Sequence, residues 1–224
     1  EAYWVNEVAF WSPSNSHSRE IVRSEKIKDT EIGLSEFPHV ILSQARVHDF
    51  FLEIMEQSAT KLTPHYSTVL KKLKVDTISN NLYPVTVQLE KAAANRKSKL
   101  QTIRCRYVVG CDGAHSIVRR EIGRELEGDS YNKAWGVMDI LAVTNFPDIR
   151  LKTIIRSAAD GNLLIIPREG GYMVRFYIEL EALGYKEKLK NKKIEVEDLI
   201  KAASRILHPY TLDIKEVGWW SVYN

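Results

Sequence analysis

The sequence is poor in cysteine, and this scarcity excludes a scaffold held together by disulfides. Cys105 and Cys111 are the only cysteines in a chain of 224 residues. If both lie on one extended segment, the six positions between them span about 20 Å. A disulfide tolerates a Cα separation of only about 7 Å, so the pair cannot form one. Without a disulfide framework, the chain is expected to be intracellular, and we predict the cytoplasm.

Long apolar runs and a strong net charge are also missing. No stretch approaches the roughly eighteen uncharged apolar residues typical of a transmembrane helix, so no membrane partner is expected. The 32 basic and 29 acidic residues leave a net charge of only +3. Basic clusters at 71–74 and 186–193 have acidic neighbours and are typical of a solvated surface. A nucleic-acid binder is a weaker alternative, suggested only by the pI of about 8.7, and we predict no nucleic-acid partner.

The composition is nevertheless that of a folded protein. Hydrophobic residues make up 44% of the chain and charged residues 27%, which gives enough apolar surface to offset chain entropy. The length suits one or two domains. Both ends of the sequence have the apolar, aromatic pattern of strand interiors. We therefore expect the chain to be an internal piece of a larger protein.

Hydrophobic periodicity divides the chain into strands and two longer helices. Apolar residues at spacings of three and four predict a helix over 43–60, with Ser43 as its N-cap, and another over 194–207. Segment 36–42 is expected to be a connector. Alternating or β-branched segments predict strands at 3–11, 20–28, 69–77, 83–91, 100–104, 135–143, 153–157, 163–167, 172–180 and 214–223.

A turn that contains glycine and aspartate is the most informative local feature. A short buried strand is predicted over 107–109, followed by Gly110-Cys111-Asp112-Gly113 and a helix that begins near His115. Glycines let a backbone approach a phosphate or ribityl group closely, and a helix N-terminus offers free N–H groups. Asp112 can accept hydrogen bonds from hydroxyl groups. On these residues alone, a turn without any ligand is an equally good interpretation.

Several motifs together resemble one enzyme family. Segment 110–119 resembles the Asp-Gly fingerprint of the single-component FAD-dependent aromatic hydroxylases. Further segments are similar to the phenol 2-monooxygenase branch of that family, particularly its fungal members; these are 5–11, 135–139, 146–150, 166–177 and 217–223. The resemblance implies a mixed α/β (α+β) fragment of the flavin-hydroxylase fold. It would contain a central segment of the FAD domain and a substrate domain built on a mostly antiparallel β-sheet.

The resemblance also implies domain boundaries. Residues 1–34 would supply strands of the substrate domain, residues 35–123 a segment of the FAD-binding domain, and residues 124–224 the substrate-binding sheet. Two signatures of the family are absent from the sequence: a Gly-x-Gly-x-x-Gly that opens a helix, and a Gly-Asp segment after Trp220. We therefore expect this chain alone to bind FAD weakly or not at all and to lack hydroxylase activity.

The resemblance assigns cofactor contacts residue by residue. It implies that Gln44, Asp112 and Gly113 bind FAD and that Asp112 also bears on the use of NADPH. Arg175 is a weaker candidate, placed among the cofactor contacts on the wall of the active site. Without the family match, Gln44 would be interpreted as an ordinary exposed helix residue. No metal site is predicted.

The catalytic residues implied by the resemblance are Tyr177, which would face the phenol, and Arg168, close to substrate and flavin. Alternation along the predicted strand 172–180 places Met173, Arg175 and Tyr177 on one face. The alternative interpretations are a core aromatic for Tyr177 and a surface ion pair with Glu169 for Arg168.

The activity implied is hydroxylation of a phenol to a catechol. FAD reduced by NADPH would activate O₂, and one oxygen atom would reach a carbon ortho to the phenolic hydroxyl. A simple phenol is expected in preference to a carboxylated aromatic, and the parent protein is expected to be a homodimer. The alternative is a non-catalytic module, derived from a flavoprotein, that binds a ligand or partner without turnover.

Overall fold

The structure is a computed structural model that describes residues 1–15, 18–78, 80–92, 99–128, 134–180 and 194–223. It forms two compact units, one from Glu1–Phe51 with Tyr131–Asn224 and the other from Leu52–Ser130. The mixed α/β architecture predicted from the sequence is confirmed. The described elements are β1 (Tyr3–Val5), β2 (Glu7–Pro13), β3 (Ile21–Lys28), β4 (His39–Ile41), α1 (Gln44–Gln57), β5 (Thr68–Val75), β6 (Val85–Lys91), β7 (Lys99–Cys105), α2 (Ile117–Glu121), β8 (Trp135–Thr144), β9 (Lys152–Arg156), β10 (Asn162–Pro167), β11 (Met173–Glu179), α3 (Val196–Ile206) and β12 (Leu212–Tyr223).

The first unit is built on a seven-stranded sheet in the order β12-β8-β11-β10-β9-β2-β3. Neighbouring strands are antiparallel except β2 and β9, which are parallel. Along β11, residues alternate between buried and half-buried, as the sequence predicts for a strand with one face on a core. Val174, Phe176 and Ile178 are buried on the core face, and Arg175 and Tyr177 therefore lie on the opposite face.

Helix α3 covers the core face of this sheet. Its side chains Leu199, Ala203 and Ile206 are fully buried. Gly136 on β8 permits the close approach, since a Cβ atom there would lie 2.2 Å from Leu199 Cδ2. The predicted helix 194–207 is thus confirmed. A side chain at position 136 would push the helix away from the sheet.

A buried carboxylate ties β2 and β3 to the segment that follows β8. Asp148 accepts hydrogen bonds from Trp11 Nε1 at 2.8 Å and from Arg23 Nε and Nη2 at 2.7 and 2.6 Å. The Arg23 guanidinium also lies over the Trp11 ring, 5.5 Å from its centroid. Because the ionised carboxylate is fully paired, its burial is tolerated. These bonds connect parts of the chain more than 120 residues apart.

The expected connector over 36–42 is partly wrong. His39–Ile41 forms strand β4, which pairs antiparallel with β1 in the register Tyr3↔Ile41 and Val5↔His39. A strand of three residues has too little pattern to be predicted locally, and it forms here because β1 supplies a partner. Helix α1 begins directly after β4, and the Ser43 carbonyl accepts hydrogen bonds from the N–H groups of Arg46 and Val47.

The predicted apolar stripe of α1 lies on the surface. Phe51 and Ile54 are 62% and 64% exposed, and no residue of the helix is buried. The helix ends at Gln57, three residues before the predicted end. An amphipathic helix ordinarily packs its apolar face against another element, so exposure of this face is a distinctive feature of the chain.

The second unit is the three-stranded meander β5-β6-β7 that the sequence predicts. Its small core contains Leu73, Val85 and Val87. The Leu73 N–H donates to Glu121 Oε2 at 3.1 Å, which attaches the short helix α2 to β5. The sequence also predicts turns between these strands at the polar segments 79–81 and 95–98. The first lies partly, and the second wholly, outside the described residues.

The buried strand predicted over 107–109 is wrong. Tyr107 and Val109 are 85% and 83% exposed, and no described strand pairs with this segment. An apolar run of three residues becomes a buried strand only between neighbouring strands. The extended run assumed for the two cysteines also fails, because β7 ends at Cys105 and Cys111 follows outside it; both thiols are free.

No helix in the described part of the chain combines the length and the apolar character needed to cross a membrane.

Candidate functional site

A row of side chains crosses four neighbouring strands on the face opposite α3. The register pairs Ile166 of β10 with Arg175 of β11, Arg175 with Asp139 of β8, and Asp139 with Trp219 of β12. Residues paired in this way project from the same face of a sheet. The row therefore places one carboxylate between a guanidinium and an indole ring.

A cavity of about 530 Å³ lies over this row. The sheet forms one wall, and the segment that leads from β4 into α1 forms the other. The volume lies within the range of small-molecule and cofactor sites and is larger than one aromatic ring requires. The lining residues are His39, Ile41, Leu42, Ser43, Gln44, Ala45, Asp139, Leu164, Ile166, Arg168, Arg175, Tyr177 and Trp219.

Two arginines converge on Asp139, which is almost completely buried. Arg175 makes a two-pronged contact, with Nε 2.6 Å from Oδ1 and Nη2 2.7 Å from Oδ2. Arg168 Nη1 lies 2.9 Å from the same Oδ2. Arg168 also donates to both oxygens of Glu169, at 3.0 and 2.9 Å. The two cations and two anions form a neutral, fully hydrogen-bonded cluster on the cavity wall.

The pKa shifts follow from this pairing. The hydrogen bonds to Asp139 raise the pKa of Arg175 above its ordinary value despite burial, and the nearby Tyr177 hydroxyl adds to the rise. The pKa of Arg168 is raised, first by its hydrogen bonds to Glu169 and then by the charge of Asp139. The Arg168 guanidinium in turn lowers the pKa of Glu169. Both arginines and Glu169 therefore remain charged throughout the physiological pH range.

Trp219 closes the row on the side of β12. The Arg175 guanidinium lies 5.3 Å from the centroid of the Trp219 ring, within the range of a cation–π contact. Arg175 is thus bound by a carboxylate and an indole at once, and the Tyr177 hydroxyl lies beside the same guanidinium.

A second hydrogen-bonded cluster borders the cavity at His39. His39 Nδ1 lies 2.9 Å from Asp29 Oδ2, and Lys152 Nζ lies 2.7 Å from Asp29 Oδ1. The Asp29 side chain is only 7% exposed. Burial opposes its ionisation, but the hydrogen bonds from Lys152 and His39 outweigh that effect and lower the pKa of Asp29. Asp29 therefore fixes the orientation of the His39 ring.

The structure brings four of the predicted site residues to one cavity: Gln44, Arg168, Arg175 and Tyr177. Arg168 does pair with Glu169, as the alternative interpretation has it, but its side chain is 11% exposed and this is no surface pair. Tyr177 is half-buried on the cavity face, so it is no core aromatic. The roles of these residues stay predictions.

Among the charged, histidine and aromatic residues that line the cavity, sequence reasoning gave no role in the site to Asp139, Trp219 or His39. Asp139 carried a usable signal, because it is the only charged residue in the apolar strand Trp135–Thr144 and a buried carboxylate requires a partner. Trp219 and His39 gave no comparable signal, since their neighbours are set by strand pairing between distant segments.

Asp112 and Gly113, the other predicted cofactor contacts, belong to the second unit. The Asp112 carboxylate accepts hydrogen bonds from Ser116 Oγ at 2.5 Å and from the N–H groups of Ile117 and Val118 at 2.6 and 3.2 Å. These bonds, led by the one from Ser116, lower the pKa of Asp112. Asp112 therefore orders the turn by binding the start of α2, and Ser116 acts as the N-cap of that helix.

Gly110 and Gly113 are each suited to this turn for a different steric reason. A Cβ atom at Gly110 would lie 2.7 Å from Val118 Cβ, so only glycine lets the turn pack on α2. Gly113 has φ of +75°, a conformation that glycine adopts without strain, and the space beside it is open. The turn thus presents exposed backbone with little side-chain bulk. Such a surface fits the close approach of a ribityl or pyrophosphate group.

Within the described ranges, no group of three or more His, Cys, Asp or Glu side chains could hold a metal ion.

Comparison with known protein families identifies a single domain type. A family model described as "FAD binding domain" matches residues 36–224. The match includes the Asp-Gly turn and all of the cavity wall that the seven-stranded sheet contributes. It therefore supports FAD as the cofactor; NADPH is a separate question that the match leaves untested.

Curated relatives share much of the sequence but are longer. The 3-hydroxybenzoate 4-monooxygenase of Comamonas testosteroni is 55% identical over the whole chain, which covers 35% of that relative. FAD-dependent monooxygenase terD of Aspergillus terreus is 40% identical over the same extent. Phenol 2-monooxygenase fsqG of Aspergillus fumigatus is 32% identical over 97% of the chain. The chain spans about a third of the length of these relatives, and the phenol 2-monooxygenase branch is not confirmed.

Solved structures show the same fold. The flavin-dependent monooxygenase PieE, in complex with FAD and substrate, superposes with a TM-score of 0.67 over 98% of this chain and 37% of its own, at 15% identity. The p-nitrophenol 4-monooxygenase PnpA of Pseudomonas putida gives 0.65 over 99% of this chain and 51% of its own, at 14% identity.

Proposed function

The chain belongs to the family of flavin-dependent aromatic monooxygenases that carry this FAD binding domain, and we propose that the whole protein hydroxylates a phenol at a carbon ortho to its hydroxyl group. The observation that supports this reaction is the cavity in which Tyr177 lies beside Arg175, with Asp139 behind it. The reductant proposed is NADPH.

The substrate proposed is a single phenolic ring. In 3-hydroxybenzoate the 4-position is adjacent to the hydroxyl-bearing carbon, so the reaction in the name of the 55% identical relative is itself an ortho hydroxylation. That relative favours a carboxylated ring, whereas the resemblance to phenol 2-monooxygenase favours simple phenol. The cavity of about 530 Å³ accommodates either ring. We propose 3-hydroxybenzoate as the first compound to test and phenol as the second.

Tyr177 and Arg175 have the chemistry to activate a phenol. The Arg175 guanidinium is committed to Asp139 by two hydrogen bonds, and its charge lies beside the Tyr177 hydroxyl. A tyrosine hydroxyl at this place can exchange a proton with the substrate hydroxyl, and the guanidinium charge stabilises negative charge that develops on the substrate oxygen. Loss of the phenolic proton raises the electron density at the ortho carbon. Arg168, bound to the same carboxylate, completes the charged wall.

The cofactor residues proposed are those whose surroundings fit a flavin. In the second unit, the exposed backbone of the turn at Gly113 is proposed to contact FAD, with Asp112 fixing the turn. In the first unit, the side chain of Gln44 is proposed as a separate FAD contact. Arg175 is proposed to face the flavin as well as the substrate. FAD, when bound and reduced, supplies the activation of O₂ and the transfer of one oxygen atom.

The experiment that tests this proposal uses the whole protein with FAD, NADPH and O₂. NADPH consumption and product are measured with 3-hydroxybenzoate and with phenol, and the product is identified by chromatography against the catechol standards. We expect one ortho-hydroxylated product per NADPH with at least one ring. A product hydroxylated elsewhere on the ring would contradict the ortho assignment. Binding of either ring without any product would instead favour the non-catalytic module.

A further inference from the structure

We propose that Asp139 is a positioning residue for the hydroxylation, acting through Arg175 on the Tyr177 hydroxyl. This inference rests on the proposed function. It begins from the placement of an ionisable group where the sequence is otherwise apolar: Asp139 follows Met138 and precedes Ile140, both fully buried on the core face. A carboxylate so deeply buried is tolerated only when its hydrogen bonds are satisfied.

The geometry shows what Asp139 holds. Both of its oxygens bind Arg175, and a two-pronged contact of this kind fixes the plane of a guanidinium as well as its position. Trp219 restricts the same group from another side. Tyr177, two residues further on the same face of β11, lines the same cavity, and its hydroxyl lies beside this guanidinium.

The two arginines depend on Asp139 to different degrees. Arg168 has a second carboxylate, Glu169, which engages its Nε and Nη2 atoms. In the described part of the chain, Asp139 is the only carboxylate paired with Arg175. Loss of the Asp139 charge therefore leaves Arg168 paired but releases Arg175.

The test compares Asp139→Asn with Asp160→Asn in the whole FAD-loaded enzyme. Asp160 is also a poorly exposed carboxylate that accepts a hydrogen bond from an arginine, Arg205 Nε at 3.0 Å, but it does not line the cavity. The pair therefore separates positioning from the loss of a paired carboxylate. We expect Asp139→Asn to lower kcat about 10- to 100-fold and to reduce product formed per NADPH, with KM changed less than about threefold. Asp160→Asn should stay within about threefold on both. Equal effects of the two variants would overturn the proposal.

A double-mutant cycle tests whether Asp139 acts through Arg175. If it does, Asp139→Asn adds nothing to Arg175→Gln, and the double variant matches the Arg175 single variant within about twofold. If the losses of activity caused by the two substitutions multiply in the double variant, Asp139 does not act through Arg175 and the proposal is refuted. If Asp139→Asn does not fold, Asp139→Glu takes its place in the comparison and the cycle, because it keeps the charge while displacing the carboxylate.

One readout needs no turnover. The Nε–H of Arg175 should exchange slowly with solvent in the unmodified protein and much faster in the Asp139 variant, as measured by NMR. Unchanged exchange overturns the inference even if no substrate is ever turned over. Hydroxylation of neither ring by the unmodified enzyme would refute the proposed function separately.

Discussion

At the scale of single residues, the charges on the cavity wall are paired before any ligand is bound. Arg168 and Arg175 are balanced by Asp139 and Glu169, and each charged group has a hydrogen-bonded partner within 3.0 Å. A neutral phenol can therefore enter this cavity without having to neutralise a charged group. The polar group that we expect it to contact is the Tyr177 hydroxyl, whose neighbours are already held in place.

The Tyr177 hydroxyl is the group that we expect to touch the substrate. In the whole enzyme, Tyr177→Phe removes one oxygen atom and should lower kcat/KM for hydroxylation by about 10²- to 10⁴-fold or uncouple NADPH oxidation from product formation. Steady-state kinetics with product quantification measure both effects.

The matched control for this variant is Tyr172→Phe. Tyr172 lies in the turn before β11 and is 65% exposed, so its substitution should leave turnover and coupling unchanged. Unchanged turnover and coupling in Tyr177→Phe would mean that Tyr177 has been assigned the wrong role.

The lowered pKa of Asp29 gives a prediction of how the stability of the folded chain depends on pH. Its pKa is lowered in the folded state, so its contribution to stability is present above the unfolded value of about 3.9 and is lost as the pH falls through the folded value. Asp29→Asn should lower stability at pH 7 and weaken the decline of stability in acid. Urea unfolding of the 224-residue chain at pH 7, 5, 4 and 3 measures both.

Asp213→Asn controls for the simple loss of one acidic group, because Asp213 is largely exposed beside Lys215. A decline in acid that is the same for Asp29→Asn and the unmodified chain would contradict the role given to Asp29.

At the scale of elements, strand register creates the cavity wall. Because side chains alternate between faces, a slip of one residue in β8 or β11 would turn Asp139 or Arg175 toward α3. The core face prevents this slip, since Met138 and Phe176 are fully buried there. The hydrophobic pattern on one face of the sheet thus fixes the polar site on the other.

The contact between β8 and α3 gives a prediction at this scale. Gly136→Ala places a Cβ 2.2 Å from Leu199 Cδ2 and should destabilise the chain by about 1–3 kcal/mol. Combining it with Leu199→Ala should be less damaging than the sum of the two losses, because the smaller side chain leaves room. Urea unfolding measures all three variants.

Gly218→Ala is the matched control on β12. A Cβ there would meet Met173 Cε at 3.6 Å, an ordinary contact distance, and little loss of stability is expected. Equal destabilisation by Gly136→Ala and Gly218→Ala would show that strand glycines matter for backbone reasons and not for the approach of α3.

At the scale of the whole molecule, two features concern the part of the chain that is expected to bind the flavin, residues 35–123. The apolar face of α1 and the segment around Tyr107 and Val109 are exposed, and the sequence contains no Gly-x-Gly-x-x-Gly. The division into domains at 34 and 123, a homodimeric parent and a cytoplasmic location stay predictions.

Retention of FAD is the prediction at this scale. We expect the 224-residue chain, mixed with excess FAD and passed through gel filtration, to elute with far less than one flavin per chain. The reason is that the turn at Gly113 and Gln44 supply only part of a flavin site. The absorbance ratio at 450 and 280 nm measures it, and the whole protein treated in the same way is the control. Stoichiometric yellow protein from the short chain would contradict this expectation.

The sequence by itself determined what depends on local pattern. Alternation in β11, the three-to-four spacing in α3, and the turn at Gly110 and Gly113 are set by residues close together in the chain, so they could be predicted. The motifs that resemble the aromatic hydroxylases are equally local. The same reasoning failed at Tyr107–Val109, where burial depends on neighbouring strands that a short apolar run does not specify.

Only the tertiary structure decided which groups meet. Asp139 and Arg175 are 36 residues apart, and Trp219 lies on yet another strand, so their contact follows from the register of the sheet. Strand β4, and with it His39 on the opposite cavity wall, depends likewise on pairing with β1. Long-range pairing is fixed by the burial of an entire sheet face, a collective free energy that no single stretch of sequence contains.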